Sequence, residues 1–219
     1  MKFVKPVVAA AVGYLAGTFP SAEIVARKAA GVDPRQVGSG NPGAANVASQ
    51  LGKKAGAAVF GLDMGKALVA GAVGTALAGP VGANAASSAA VLGHCFPAQR
   101  NFRGGKGVAS SFGQMLATFP AYLPVDLALG ALAAKSDFWK ERPAATVAAT
   151  CGLWAGLGSV WVRNGWPNPW GAAPGPSMPI AAVASSAAII YRFAVEADAP
   201  GGNSIDDAAV HQAPVDTTA

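Results

Sequence analysis

Charge is what this chain has least of. Lys, Arg, Asp and Glu together make up 12% of its 219 residues, about half the share of an ordinary soluble domain. A water-facing exterior needs charge to cover it, so a conventional soluble globule is excluded and apolar surface must face something other than water. Cysteine is equally scarce. Cys95 and Cys151 sit in or beside apolar stretches, with no Cys or His at metal-ligand spacing. That removes a disulfide framework and a metal site and leaves two small buried thiols. Of the two histidines, His211 falls in a polar tail where no metal or catalytic role is expected. Aromatics are only 8%, and the five Trp residues all lie beyond position 138, several at the ends of apolar runs. Trp prefers the membrane–water interface there.

What the chain has instead is apolar length and small residues. Hydrophobic residues reach 52% and glycines number 28; small residues let membrane helices approach closely. With about 20 apolar residues needed to cross a bilayer, candidate spans fall at 4–26, 55–78, 83–98, 107–118, 121–134, 144–162 and 177–193. The basic start before the first run imitates a signal peptide, but the run continues to about Ala26 and more follow, so a first span is expected. Pro120 and Pro124 break the fourth and fifth candidates, which read equally as one kinked helix over 107–134. The fold class expected is therefore an all-α, polytopic bundle of about seven membrane helices, two of them short.

Orientation follows from the basic residues. Arg27, Lys28, Arg35, Lys53 and Lys54 follow the first span, Arg100, Arg103 and Lys106 the third, and Lys135, Lys140 and Arg142 the fifth. The connections between them carry almost no charge. Seven spans thus place the basic loops in the cytoplasm, the N-terminus outside and the C-terminus inside. Residues 1–195 form the expected membrane domain. From Glu196 to Ala219 there are five acids and no Lys or Arg, a composition too polar to offset ordering entropy, so a disordered acidic cytoplasmic tail is expected.

Two loops carry chemistry. The first, Gly38-Ser-Gly-Asn-Pro-Gly-Ala-Ala-Asn46, combines backbone-shaping glycines with side-chain donors ahead of a helix expected near Asn46. Successive N–H groups in such turns make anion nests, and a helix N-terminus favours phosphate. The plain reading is a flexible connector. The second, Arg103-Gly-Gly-Lys-Gly107, puts two cations among glycines before another helix. It lacks the Walker A spacing, which disfavours a P-loop NTPase; the plain reading is a headgroup anchor. Inside the spans, Asp63 and Lys66 lie three apart on one helical face and are placed to neutralise each other. Asp126 is a single acid near a span end, and His94 closes the third span beside the second loop. The two loops and His94 are expected to converge on one cytoplasm-facing cavity.

At these loops the chain resembles the acyl-phosphate-dependent glycerol-3-phosphate acyltransferases of bacteria, the PlsY family. The resemblance rests on four ordered segments: 38–47, then Leu51-Gly-Lys-Lys-Ala-Gly56 with Asp63-Met-Gly-Lys66, then Leu92-Gly-His-Cys-Phe-Pro97, then Phe102-Arg-Gly-Gly-Lys-Gly-Val-Ala109. It covers about residues 4–135 well and the remainder by hydropathy. It implies an enzyme of the cytoplasmic membrane that moves a fatty acyl group from acyl phosphate to the sn-1 hydroxyl of glycerol 3-phosphate, giving lysophosphatidic acid for phospholipid synthesis. Its partners would be those two substrates and the lipid bilayer; no nucleic acid, cofactor or metal is implied. Mapped by motif, Lys106, Ser39, Asn46 and His94 are the candidate catalytic residues. Gly38, Gly40, Asn41, Gly43, Arg103, Gly104, Gly105 and Gly107 are the candidate phosphate-binding ones.

The chain departs from the family pattern at several points. Val37 stands where the family usually has Ser, Ala45 where it has Thr, and Ser49 where it has a phosphate-binding Arg. Ser cannot supply that bidentate charge. The family's third motif, an H-x-[DE]-N pattern near the end of the last span, is replaced by Tyr191-Arg-Phe-Ala-Val-Glu196, where Arg192 is a possible substitute cation. Beside the active acyltransferase stand three alternatives: a relative with another phosphorylated acceptor or donor, a catalytically impaired protein that binds lipid phosphate or a partner, and a transporter built on Asp63, Lys66 and Asp126.

Overall fold

The computed structural model describes residues 4–197, and every regular element among them is helical. The elements are α1 (Val4–Gly17), α2 (Ser21–Ala30), α3 (Ala44–Leu51), α4 (Lys53–Cys95), α5 (Val108–Thr118), α6 (Leu123–Ala133), the short α7 (Asp137–Lys140), α8 (Pro143–Arg163) and α9 (Ser177–Ala197), with 3-10 turns at 98–100 and 120–122. By length and composition alone, four described segments are long and apolar enough to cross a membrane: Val4–Ala30, Lys53–Arg100, Pro143–Arg163 and Ser177–Val195. The acidic tail lies outside the described residues, apart from the two that complete α9.

The helices follow the expected apolar runs, with one interruption. The first span, 4–26, is interrupted: the chain leaves α1 at Gly17 and re-enters a helix after Pro20, whose ring removes a backbone donor. Over 53–95 one helical run covers what the sequence divides into two spans, but it doubles back. Ala78 and Gly79 leave helical geometry, Gly79 with φ 59°, and Pro80 follows. Gly74 then packs on the Gly82 carbonyl, and Gly71 lies beside Ser87. The two arms, 53–77 and 80–95, are an antiparallel hairpin. Finally, 107–134 is two helices. Phe119 breaks the chain between α5 and α6, and each, at 11 residues, is about 16 Å long.

Small residues set the spacing. Gly13 and Gly17 of α1 lie against the backbone of Ala86 and Ala90, where any Cβ would strike a carbonyl oxygen. Ala9, Ala67, Ala70, Ala86 and Ala90 form the cluster between α1 and both arms. The contacts also fix directions. α1 runs parallel to the second arm, α5 runs parallel to the first (Phe60 on Phe112, Gly71 on Ala117), and α9 runs parallel to the second (Asn84 to Ser177, Ser88 to Ser185). α8 returns antiparallel to α9, with Cys151 beside Ser186 and Gly158 beside Pro179.

Polar seams join the helices. Ser88 and Ser185 hydroxyls lie 2.9 Å apart, and Ser185 donates to Gln114 Oε1 at 2.6 Å. Asn168, in the 164–176 loop, donates to the Thr118 and Ala172 carbonyls at 2.8 Å each and closes the end of α5. Trp154 does not sit at an interface: it is 2% exposed, stacked on Tyr122 in a core with Phe119, Met115 and Met178. Apolar side chains such as Val7, Leu15, Val69 and Ile180 face outward, the inverse of a soluble protein and the arrangement lipid requires.

Candidate active site

The two Gly-rich loops and the last turns of α9 gather at one end of the bundle. The first loop is shaped from within by Asn46, which is 5% exposed. Its Nδ2 donates to the carbonyls of Pro34 (2.8 Å) and Val37 (3.1 Å), and its Oδ1 accepts the Ser39 N–H at 3.0 Å. Gly38 reaches this geometry only with φ 58° and with nothing at its Cβ position, which the Asn46 and Gln50 side chains occupy. Ser39 Oγ accepts the Asn41 N–H at 3.4 Å. Gly43 opens α3 in an extended conformation without a side-chain cap, so first-turn N–H groups are left without helical partners. Gly40 lies between these residues with φ 71°. Ser49 is exposed, and its hydroxyl donates back to the Asn46 carbonyl of the same helix at 2.8 Å.

The second loop is zipped to the end of the α4 hairpin. The Gly104 N–H donates to the Cys95 carbonyl and the Gly105 N–H to the His94 carbonyl, both at 3.1 Å. The open side of Gly105 faces the His94 imidazole. Gly107, with φ 86°, turns the chain into α5. α9 holds the same loop twice: Arg192 Nη2 donates to the Gly104 carbonyl at 2.6 Å, and the Lys106 ammonium lies 4.7 Å over the Phe193 ring. Arg103 is exposed at the edge.

One carboxylate ties the loops together. Glu23 of α2 pairs with Arg35 (3.1 Å), just before the first loop, with Arg100, just before the second, and with Arg27 (3.4 Å). Arg35 also grips Asp33, through Nε to Oδ1 (3.1 Å) and Nη2 to Oδ2 (3.0 Å). Those hydrogen bonds hold the Asp33 carboxyl below the usual carboxylate range and raise Arg35. A depressed folded pKa means that the stabilisation is present above the unfolded value, about 3.9, and disappears as pH falls through the folded one. Hydrogen-exchange protection of residues 33–46 is therefore expected to fall below about pH 4. It should fall in the wild type and not in Asp33→Asn; equal pH dependence in both would remove this pair from the loop's support.

Below the second loop is a buried charge network. Lys66 Nζ lies 2.8 Å from Asp63 Oδ1, 2.8 Å from His94 Nδ1 and 3.3 Å from the Phe19 carbonyl, and His94 Nδ1 is 3.4 Å from Asp63 Oδ1. The pairing of Asp63 with Lys66 is as expected; its extension to His94 is not evident until the hairpin brings residues 63 and 94 together. A cavity also opens under the second loop, among α5, α6, α8 and α9, with Val108 and Ile189 near its upper end and Met115 and Trp154 deeper. Asp126, half-buried in the first turn of α6, is among its lining residues. Neither the first loop, nor residues 103–107, nor His94 lines this cavity, so the two loops and His94 do not converge on it as expected; the loops meet through Glu23 instead. Sequence reading missed Glu23 and also Tyr14, whose hydroxyl donates to the Phe96 carbonyl at 2.7 Å. Glu23 beside several basic loops was the available signal for the first; the second had none.

The family model described as glycerol-3-phosphate acyltransferase matches residues 7–197. The glycerol-3-phosphate acyltransferase of Thermoanaerobacter sp. (strain X514) is 42% identical over 124 residues, covering 57% of this chain and 63% of that protein. The enzyme of the same name from Anaeromyxobacter sp. (strain Fw109-5) is 48% identical over 115 residues, 50% of this chain and 57% of that one. The match thus spans less than two thirds of the length of these relatives. Among solved structures, PlsY, an integral membrane glycerol 3-phosphate acyltransferase, superposes in its glycerol 3-phosphate form with a TM-score of 0.67 and 29% identity, covering 87% of this chain and 88% of that one. Its lysophosphatidic acid form gives 0.67 and 27%, covering 91% and 94%.

Proposed function

This chain belongs to the glycerol-3-phosphate acyltransferase family, and on that footing we propose that it transfers a fatty acyl group from acyl phosphate to the sn-1 hydroxyl of glycerol 3-phosphate. It is an all-helical, multi-pass membrane protein. In this reading it crosses the cell membrane seven times, through α1, the two arms of α4, α5, α6, α8 and α9, with the site facing the cytoplasm. The alternating directions of these helices support the reading. So does the gathering of residues 27–35, 53–54, 100–106 and 140–142 at one end, opposite the start of α1 and level with the end of α9.

The observation that carries the proposal is the pairing of two backbone-rich loops through Glu23 at that basic end. Both substrates are phosphates, and the reaction builds negative charge on the acyl oxygen and on the departing phosphate. The sn-1 oxygen forms a bond to the acyl carbon, the carbon–oxygen bond to phosphate breaks, phosphate leaves with the electron pair, and the hydroxyl proton passes to the leaving phosphate. Catalysis then needs fixed donors and cations more than a strong base. Lys106 supplies charge at the start of α5, where the helix end also favours anions. Gly104, Gly105, Gly107 and Arg103 form the rest of that cradle. Gly38, Ser39, Gly40, Asn41 and Gly43 form the other, for glycerol 3-phosphate, with Asn46 setting its shape.

The decisive assay uses the purified protein in lipid with acyl phosphate and glycerol 3-phosphate. Inorganic phosphate and lysophosphatidic acid should appear together only when both substrates are present; release from acyl phosphate alone would reject transfer. A second test addresses Ser49. A charge-assisted contact is worth about 1.5–3 kcal/mol, so Ser49→Arg is expected to lower KM for glycerol 3-phosphate about tenfold. An unchanged KM would show that another cation already meets that phosphate.

A further inference from the structure

We propose that Asp63 and Lys66 are positioning residues that hold His94 as the neutral tautomer protonated on Nε2, so that a fixed N–H donor faces the loop carrying Lys106. The inference rests on the acyltransferase reading for its consequence and on hydrogen-bond geometry for its substance.

An ammonium has three N–H donors and no acceptor. Lys66 Nζ has three acceptors in range: Asp63 Oδ1 at 2.8 Å, His94 Nδ1 at 2.8 Å and the Phe19 carbonyl at 3.3 Å. All three protons are used. A proton on His94 Nδ1 would point at the ammonium across 2.8 Å, so Nδ1 must be the lone-pair nitrogen and Nε2 carries the hydrogen. Asp63 cannot supply that orientation by itself: at 3.4 Å from Nδ1 it acts through Lys66. The side chains are 2% exposed at Asp63 and 7% at both Lys66 and His94, so water competes little for the bonds among these three.

The protonated nitrogen has a destination. His94 Nε2 is the atom that a Cβ on Gly105 would meet first, and the Gly105 N–H is bonded to the His94 carbonyl. Residue 94 therefore holds the second loop by its backbone and presents its ring to the same point. Phe19, in the break between α1 and α2, completes the fit: its carbonyl accepts from the Ser21 N–H at 3.0 Å and from Lys66 at 3.3 Å. The charged groups facing His94 are Asp63 and Lys66 from the first arm and Arg192 from α9, while Cys95, next to it in its own arm, acts on Lys66. Two neighbouring cations against one carboxylate oppose an imidazolium.

The chain has two histidines, so His211→Gln leaves His94 as the single 15N-histidine signal in a lipid-embedded sample. The expected spectrum has an acceptor-type Nδ1 and a protonated Nε2 from about pH 5 to 8. A protonated Nδ1, or an imidazolium at neutral pH, would overturn the proposal. Lys66→Met should release the tautomer and let Nδ1 carry the proton toward Asp63 Oδ1, 3.4 Å away. Its kcat is expected to fall on the order of tenfold to a hundredfold, as when groups behind a reacting shell are removed, with KM for glycerol 3-phosphate little changed and a new inflection in the pH–rate profile. Lys66→Arg, which keeps donors and charge, should restore the wild-type spectrum. A loss of activity equal in Met and Arg variants, with no change in pH profile, would mean that Lys66 only braces the bundle. If Lys66→Met does not fold, the wild-type spectrum decides alone. The nitrogen shifts are read without turnover, so a wild-type protein inactive in the two-substrate assay would reject the acyltransferase reading and leave the tautomer to its own spectrum.

Discussion

Lys106→Ala is expected to lower acyl transfer at least a hundredfold. The side chain stands between Gly105 and Gly107 at the start of α5, half-buried, with its ammonium over Phe193. In that partly dry setting a cation aimed at developing charge contributes far more than in water, and losing one preorganised donor typically costs a factor of about 100–1,000 in kcat. The cation–π pair with Phe193 itself is worth about 0.5–1 kcal/mol. Lys106→Arg keeps charge and ring contact but replaces a compact point charge with a planar fork, so it should fall between Ala and wild type. Near-normal kcat in the Ala variant would take Lys106 out of the reaction.

The second large effect is expected at Asn46, and here the isosteric change should be worse than truncation. Asn46→Ala removes three hydrogen bonds that hold residues 34, 37 and 39 in one loop. Asn46→Asp keeps the shape but turns a donor at 2.8 Å from the Pro34 carbonyl and 3.1 Å from the Val37 carbonyl into an oxygen facing both. Each buried group left unsatisfied costs about 1–3 kcal/mol, so Asp should raise KM for glycerol 3-phosphate on the order of a hundredfold, and Ala about tenfold. Equal effects, or a milder Asp variant, would show that the amide is not the clamp.

The contrast between these residues explains how much is legible in the sequence. Lys106 and the glycines around it, the glycines of 38–43, and the Asp63–Lys66 pair all act over a few residues of chain, where spacing and helical periodicity report geometry directly. The helical class is equally plain from apolar length. Asn46 stands out in the sequence too, but as a donor beside the loop; its amide in fact faces inward, because Pro34 and Val37 fold over it. Glu23 reaches Arg100 across 77 positions and Arg192 reaches Gly104 across 88. No local pattern encodes such pairs. They depend on which helix ends come together, and that is decided by the packing of Gly13 and Gly17 on Ala86 and Ala90. The burial of Trp154 is hidden for the same reason: its partners come from the α5–α6 break and from α9.

The hairpin at Gly79-Pro80 has a consequence for biosynthesis. In the proposed topology its first arm enters the bilayer carrying Asp63 and Lys66 ahead of residue 94. A single Asp or Lys at the centre of an inserting helix costs about 2.5–3.5 kcal/mol on translocation scales. Because the two lie three residues apart, 2.8 Å between charged atoms, the arm brings its own counter-ion and crosses as a nearly neutral rod. The uncharged turn lets the second arm follow it as a unit, and His94 joins an ion pair already in place.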